Sequence, residues 1–177
     1  MKRIVLYIAS SIDGYIAEAD GSNDYLSHFP GSAEMNSDYK TFLGSVDTVI
    51  MGGRTYREMQ NMDVIWPYKE QTSYIISHYD WGEKENVRFI TGNVVETIEM
   101  LRRQPGKDIW LFGGGEIISM LLEAGLTDEM RVFYIPIMLG KGIRLFGGKP
   151  APSRWLLTNS QKFDNGVLGI TYRREQL

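Results

Sequence analysis

The sequence contains no cysteine and only two histidines, His28 and His78. The first absence removes disulfides, thiolate nucleophiles and cysteine-ligated zinc or iron–sulfur centres. The second leaves little material for a histidine-rich metal site or a Ser-His-Asp arrangement, so no metal is expected. A surplus of either charge is also missing: 19 Lys and Arg face 22 Asp and Glu, for a net charge of -3. Without the basic footprint that phosphate backbones demand, nucleic acid is not an expected partner. Long hydrophobic runs are absent too. The opening apolar run, residues 4–9, is too short for a signal peptide's hydrophobic region, and no small-residue cleavage site follows it. No stretch approaches the ~18–20 apolar residues of a membrane span. These absences predict a soluble, cytoplasmic protein without a membrane partner.

Glycine is what the chain has in excess. Nineteen glycines in 177 residues make about 11%, against roughly 7% in ordinary proteins. The remaining composition is that of a globular protein, and the length suits one domain spanning 1–177. Continuous apolar runs at 4–9, 48–51, 74–76 and 109–112 predict strands buried on both faces, with a weaker candidate at 87–90. Between them lie helical patterns. Met35, Tyr39, Phe42 and Leu43 form an apolar stripe with Ser32 as its cap. Asn93 and Glu96 make a capping-box-like start to a helix stopped by Pro105-Gly106. A further helix, from Ile117, closes at Gly125. Strands alternating with helices predict crossover connections and a largely parallel sheet. The last third differs. Residues 130–139 predict a strand whose Pro136 suggests an edge or a bulge. Residues 155–163 and 167–173 flank Asp164-Asn165-Gly166, a hairpin signal. The sum is an α/β domain of about eight strands and four helices, antiparallel only at its C-terminal end.

Two glycine clusters follow predicted central strands and open helices. One is Gly52-Gly53-Arg54-Thr55 and the other is Gly113-Gly114-Gly115-Glu116. Glycine lets backbone approach a ligand closely, and a helix N-terminus offers unsatisfied N–H groups to an anion. Ligands of open α/β sheets sit beyond the carboxyl ends of the strands, where both clusters fall. Arg54 and Thr55 add a cation and a hydroxyl suited to phosphate. Tight turns alone would also explain one such cluster. Two, with Arg-Thr on one of them, favour a nucleotide. Neither matches G-x-G-x-x-G, since position 118 is Ile118, and no P-loop pattern occurs.

Four segments, in order, resemble the dihydrofolate reductase-like superfamily, and most closely its riboflavin biosynthesis reductase (RibD C-terminal-like) branch. They are Ser10-Ser11-Ile12-Asp13-Gly14-Tyr15-Ile16-Ala17, Met51-Gly52-Gly53-Arg54-Thr55, Phe112-Gly113-Gly114-Gly115-Glu116, and the stretch from Pro136 to Gly148. The resemblance implies a three-layer α/β/α fold with a mixed eight-stranded sheet. It also implies NADPH as hydride donor and a cis peptide at Gly113-Gly114. Ala9 and Ile16 would flank the nicotinamide. Gly52, Gly53, Arg54 and Thr55 would hold the phosphates of the adenosine half. Ser77 and His78 would lie near the adenosine 2′-phosphate, and Gly113, Gly114, Gly115 and Glu116 at the pyrophosphate.

On the substrate side the resemblance implies reduction of a 5-amino-6-(5-phosphoribosylamino)uracil-type pyrimidine. Asp13 matches a segment near the substrate, and it either assists protonation or caps the amides of an Asp-Gly turn. Asp24 and Tyr25 are the expected substrate contacts. Lys141 and Arg144 are available to a substrate phosphate, or are solvated loop charges. Folate is the weaker guess. Gln71 stands where dihydrofolate reductases carry the Arg that holds the folate carboxylate, and Asn36 stands at the pterin-protonating position. Asp38 reads as an exposed helix residue. The zinc deaminase signature that precedes the reductase in bifunctional relatives is missing, so a stand-alone form is expected. The alternatives are a pterin or small-carbonyl reductase, and a nucleotide-binding module without turnover. Exposed edge and aromatic content, Tyr134 and Trp155, permits a homodimer.

Overall fold

An apolar side chain at every position of a strand demands cover on both faces, and the first run receives it. In the computed structural model, which describes residues 1–62, 65–82 and 84–176, this run forms β1 (Ile4–Ser11). Ile4 and Leu6 pack with Ile98 and Leu101 of α3 (Val94–Arg103) and with Ile118 and Leu121 of α4 (Gly115–Glu123). Val5 and Tyr7 point the other way. They meet Phe42 of α1 (Ala33–Gly44) and the cluster that holds Tyr56 of α2 (Gly53–Asn61). The period of two along one strand thus builds the three layers.

The other strands of this sheet are β3 (Val46–Gly52), β4 (Thr72–Ile76), β5 (Val87–Ile90), β6 (Asp108–Gly113), β7 (Glu129–Ile135), β9 (Trp155–Lys162) and β10 (Leu168–Arg174). Their order is β5-β4-β3-β6-β1-β7-β10-β9. Every pair from β5 to β7 is parallel, while β10 runs antiparallel to both β7 and β9. The hairpin turns at Gly166, whose φ of 85° explains the Asn-Gly signal.

Ser32 caps α1 as expected, its Oγ accepting from the Met35 amide at 3.3 Å. Gly125 closes α4 at φ 69°. Two expectations need correction, and one element was unforeseen. Pro136 marks neither an edge nor a bulge: β7 lies between β1 and β10 and simply ends at Ile135, because proline has no N–H to extend the ladder. Asn93 makes no side-chain cap, since its own backbone is left-handed (φ 49°), outside the extended conformation that a capping side chain needs. A second, two-stranded ribbon of β2 (Tyr15–Ala17) and β8 (Ile143–Arg144) was not expected at all.

Charge ties the central strands together. Glu129, only 2% exposed, accepts from Arg3 at 2.9 Å and from Arg131 at 2.8 Å, with Arg173 at 3.5 Å. One buried carboxylate therefore links β7 to β10 and to the segment entering β1.

Candidate functional site

Because β3 and β6 are parallel neighbours, with Met51 opposite Gly113, their two glycine turns leave the sheet along the same edge. Each turn opens a helix whose N-cap is glycine, Gly52 for α2 and Gly114 for α4. Neither helix has a side-chain cap. No capping side chain takes the first-turn N–H groups, and although the Ile117 amide donates to the Gly114 carbonyl at 3.1 Å, such termini favour an anion. The Gly113–Gly114 peptide is cis, as the resemblance implied.

The glycines are not all there for a ligand. A Cβ at Gly53 would lie 3.1 Å from both Cβ and Oγ of Ser77, and one at Gly115 would lie 2.9 Å from Cγ2 of Ile143. Packing of α2 on β4 and of the ribbon on α4 suffices to require those two. At Gly114 a Cβ would meet only Thr55 Oγ1 at 3.6 Å, an ordinary contact. Protein packing leaves room at that position for close approach of a ligand.

These turns border a cavity of about 820 Å³, within the range of small-molecule and cofactor sites. All the residues singled out as cofactor contacts line it: Ala9, Ile16, Gly52, Gly53, Arg54, Thr55, Ser77, His78, Gly113, Gly114, Gly115 and Glu116. Arg54 is exposed and makes no ion pair among the described residues. The Ser77 hydroxyl accepts from the Tyr79 amide at 3.0 Å, which leaves its proton free to be donated. Sequence reasoning missed Arg57, Tyr79 and Trp81, which line the same cavity. The Arg57 guanidinium lies 5.6 Å from the Trp81 ring centroid. The spacing of Arg54 and Arg57, one helical turn apart, was the available signal.

The apolar part of the lining includes Tyr7, Ala9, Ile16, Leu26, Trp110 and Phe112. Trp110 donates from Nε1 to the Tyr7 carbonyl at 3.2 Å, and the Tyr7 hydroxyl donates to Asp38 at 2.8 Å. Burial first, and the Asp38 carboxylate second, raise the Tyr7 phenol well above its ordinary range, so it stays protonated. Asp38 is accordingly not an exposed helix residue: the approach of α1 to β1 half-buries it against Tyr7.

The expected substrate contacts fall elsewhere. Tyr25 is buried with Phe133, Ile135 and Phe163, and its hydroxyl donates to the Ile16 carbonyl at 3.3 Å. Asp24 is exposed. The short helical turn at Asp24–Leu26 rolls Tyr25 into the core, so Asn23 and Leu26 on either side face the cavity instead.

Asp13 also lies outside the lining. Its carboxylate accepts from Ser11 Oγ (2.6 Å) and from the amides of Leu139 (3.1 Å) and Gly140 (2.7 Å). The Ser11 hydroxyl foremost, and then those amides, lower its pKa to about 2. A carboxyl with that pKa has no proton to give near neutrality. Of its two roles the geometry supports the turn anchor. Lys141 and Arg144 are not in the lining either, and the Arg144 guanidinium sits 5.8 Å from the Tyr15 ring centroid. Gln71 is buried and donates to the Leu43 carbonyl at 3.3 Å. Among the described residues no cluster of three His, Asp or Glu side chains suits a metal, and no helix is long and apolar enough to cross a membrane.

The sheet order and the glycine turns at its carboxyl edge are those of the dihydrofolate reductase class of folds. Dihydrofolate reductase from Enterococcus faecalis, solved in complex with NADP(H) and RAB-propyl, superimposes with a TM-score of 0.70 at 15% identity, covering 98% of this chain and 97% of that one. Within the class, the chain belongs to the RibD C-terminal domain family, whose model matches residues 2–169. It is 34% identical over 167 residues to the uncharacterized protein YwjB of Bacillus subtilis (strain 168), covering 94% of this chain and 95% of YwjB. A Shewanella sp. PV-4 protein proposed to serve riboflavin biosynthesis has a TM-score of 0.86 at 29% identity, with 99% and 100% of the two chains covered.

Proposed function

We propose that this protein is an NADPH-dependent oxidoreductase that delivers hydride to a small pyrimidine- or pterin-like substrate, the riboflavin-type ribosylaminouracil ring system first among them. The observation that carries this reading is the convergence of two helix N-termini without side-chain caps, and of Arg54, on one partly aromatic cavity. A pyrophosphate needs N–H donors and a 2′-phosphate needs a cation, and the chain supplies both. Family membership and the fold shared with dihydrofolate reductase support the same assignment.

Reduced nicotinamide, when bound, supplies the hydride. The chain's part is to bind, orient and exclude water. Thr55, Gly114 and Gly115 offer hydroxyl and backbone groups to the diphosphate. Arg54, with Ser77 and His78, takes the additional phosphate. Ala9 and Ile16 offer apolar, uncharged surface where the ring would lie, which suits close approach of donor and acceptor.

Fluorescence titration tests the reading. NADPH should bind about tenfold or more tightly than NADH, the gain of one charge-assisted phosphate contact, and Arg54→Gln should erase most of the difference. Equal affinity for the two nucleotides in the unaltered protein would refute the assignment.

A further inference from the structure

The β2–β8 ribbon touches the first residue of α4 from both of its strands. A Cβ on Gly115 would lie 2.9 Å from Cγ2 of Ile143, 3.3 Å from the Arg144 carbonyl oxygen and 3.8 Å from Cδ1 of Ile16. Ile16, Ala17 and Ile143 also line the cavity, together with Gly115 itself. Where the ribbon sits therefore sets how closely a ligand can approach the α4 terminus, whose N–H groups the nucleotide reading assigns to a diphosphate.

A ribbon this small does not hold itself. β8 has two residues, and its register with β2 is irregular, with Tyr15 opposite Arg144 and Ala17 opposite Ile143. Even a complete hairpin standing alone is marginal in water. The turn before β2 and the loop before β8 supply the missing support. The Ile12 amide donates to the Ile137 carbonyl at 2.9 Å, and the Leu145 amide to the Gly14 carbonyl at 2.8 Å. Asp13 stands between these two bonds. Its carboxylate accepts from the Leu139 and Gly140 amides at 3.1 and 2.7 Å and from Ser11 Oγ at 2.6 Å. Ser11 Oγ accepts in turn from the amide of Tyr15, the first residue of β2. One charged group with three donors thus ties the start of β2 to the loop that leads into β8. The other side-chain hydrogen bond between these segments among the described residues, from the Tyr15 hydroxyl to the Gly140 carbonyl, is long at 3.5 Å. The loop has little slack, since a Cβ at Gly142 would run into the Ala17 carbonyl oxygen.

Asp13 lies outside the cavity lining, so its reach to a bound ligand is through the ribbon. Resting on the nucleotide-binding reading given above, we infer that Asp13 is a positioning residue for the dinucleotide. By holding Leu139 and Gly140 to the start of β2 it keeps Ile16 and Ile143 against Gly115, and so fixes the wall beside the α4 terminus. Without the carboxylate, the two amides and the Ser11 hydroxyl turn to water and the ribbon keeps only its backbone bonds. The wall then loosens although no direct contact to the nucleotide is removed, and the loss falls on affinity as well as on stability.

Fluorescence titration with NADPH, at a temperature where circular dichroism shows each protein fully folded, tests the inference. Asp13→Ala should weaken NADPH about fivefold or more, the low end of ordinary coupling between sites. Asp13→Asn keeps an oxygen for one amide and should fall between that variant and the parent; it takes the place of Asp13→Ala throughout if the latter does not fold. Ile143→Ala removes the side chain that reaches Gly115 and should weaken NADPH too. If Asp13 acts through Ile143, the double variant should bind no more weakly than the worse single variant, within about twofold. Glu129→Ala, altered at a cluster outside the lining, should bind like the parent. Asp13→Ala binding NADPH as tightly as the parent overturns the inference. So do strictly additive losses in the double variant, and so does an equal loss in Glu129→Ala, which would mark general loosening. In all three cases the parent still binds NADPH. A parent that does not bind it overturns the nucleotide reading and this inference with it, so the two failures are distinguishable.

Discussion

Adding one methyl group at Gly53 separates the packing role of the glycine turn from its ligand role. An ideal Cβ there would sit 3.1 Å from Cβ and Oγ of Ser77, with the Ile76 carbonyl oxygen at 3.5 Å. Comfortable carbon–carbon contact needs ~3.5–4.0 Å, so the shortfall is about half an ångström or more, against backbone-anchored atoms. Overpacking of this kind costs ~1–3 kcal/mol. The better helix propensity of alanine offsets at most about 1 kcal/mol, and less at a first helical position. Gly53→Ala should therefore destabilise by about 1–2 kcal/mol, which at ~2–4 °C per kcal/mol lowers Tm by roughly 2–8 °C. Gly53→Ala/Ser77→Gly removes both close atoms and should recover most of that, less about 1 kcal/mol for the lost Ser77–Tyr79 hydrogen bond. The added methyl still projects at the cavity floor. NADPH affinity should then stay weakened in the double variant while Tm returns. Thermal unfolding and nucleotide titration on the four proteins give the full cycle. A single variant as stable as the parent, or strictly additive effects in the double, would refute the close-contact argument.

Two other features predict measurable outcomes. Glu129→Ala strands the Arg131 guanidinium, which is 28% exposed, while Arg3, 43% exposed, keeps Asp108 at 2.6 Å; the retained pair and partial rehydration should hold the cost to about 2 kcal/mol, below the ~3–5 of a fully buried pair. Urea unfolding measures it, and a loss under about 1 kcal/mol would mean the cluster is screened. Asp13 has its folded pKa depressed to about 2 below an ordinary carboxylate value near ~3.9. Its anchoring contribution is present above that ordinary value and fades as the pH falls toward 2. Asp13→Asn should therefore lower Tm at pH 6 and lose that deficit by pH 2, and a deficit constant across this range would show that the carboxylate charge is irrelevant.

The strands and helices that fill the three layers were readable because each carries a local signature. The 4–9 run needs cover on two faces, Ser32 precedes the stripe ending at Phe42 and Leu43, and Asn165-Gly166 has few conformations open to it. What escaped depends on non-local partners. The β8 strand has two residues, too few for any periodicity, and exists because Tyr15 and Ala17 lie opposite it. Tyr25 looks like a surface aromatic until the hairpin brings Phe163 and Val167 to cover it. Asp38 is an ordinary helical acid until α1 packs on β1 and presents it to the Tyr7 hydroxyl. Asn93 carries the residue type of a cap but not the backbone.

The same division runs through the candidate site and bears on its chemistry. The part proposed to hold a nucleotide is backbone: glycine turns, helix N-termini and one parallel register that places Met51 opposite Gly113. Such features leave contiguous traces in a sequence, and altering them disturbs the fold, as the contacts at Gly53 and Gly115 require. The apolar part is side chains drawn from β1, β6 and the loop before α1, and Asn23 and Leu26 can change without touching the sheet. The proposed nucleotide contacts are therefore best tested at Arg54, and the acceptor side at Asn23 and Leu26, whose exchange leaves the sheet intact.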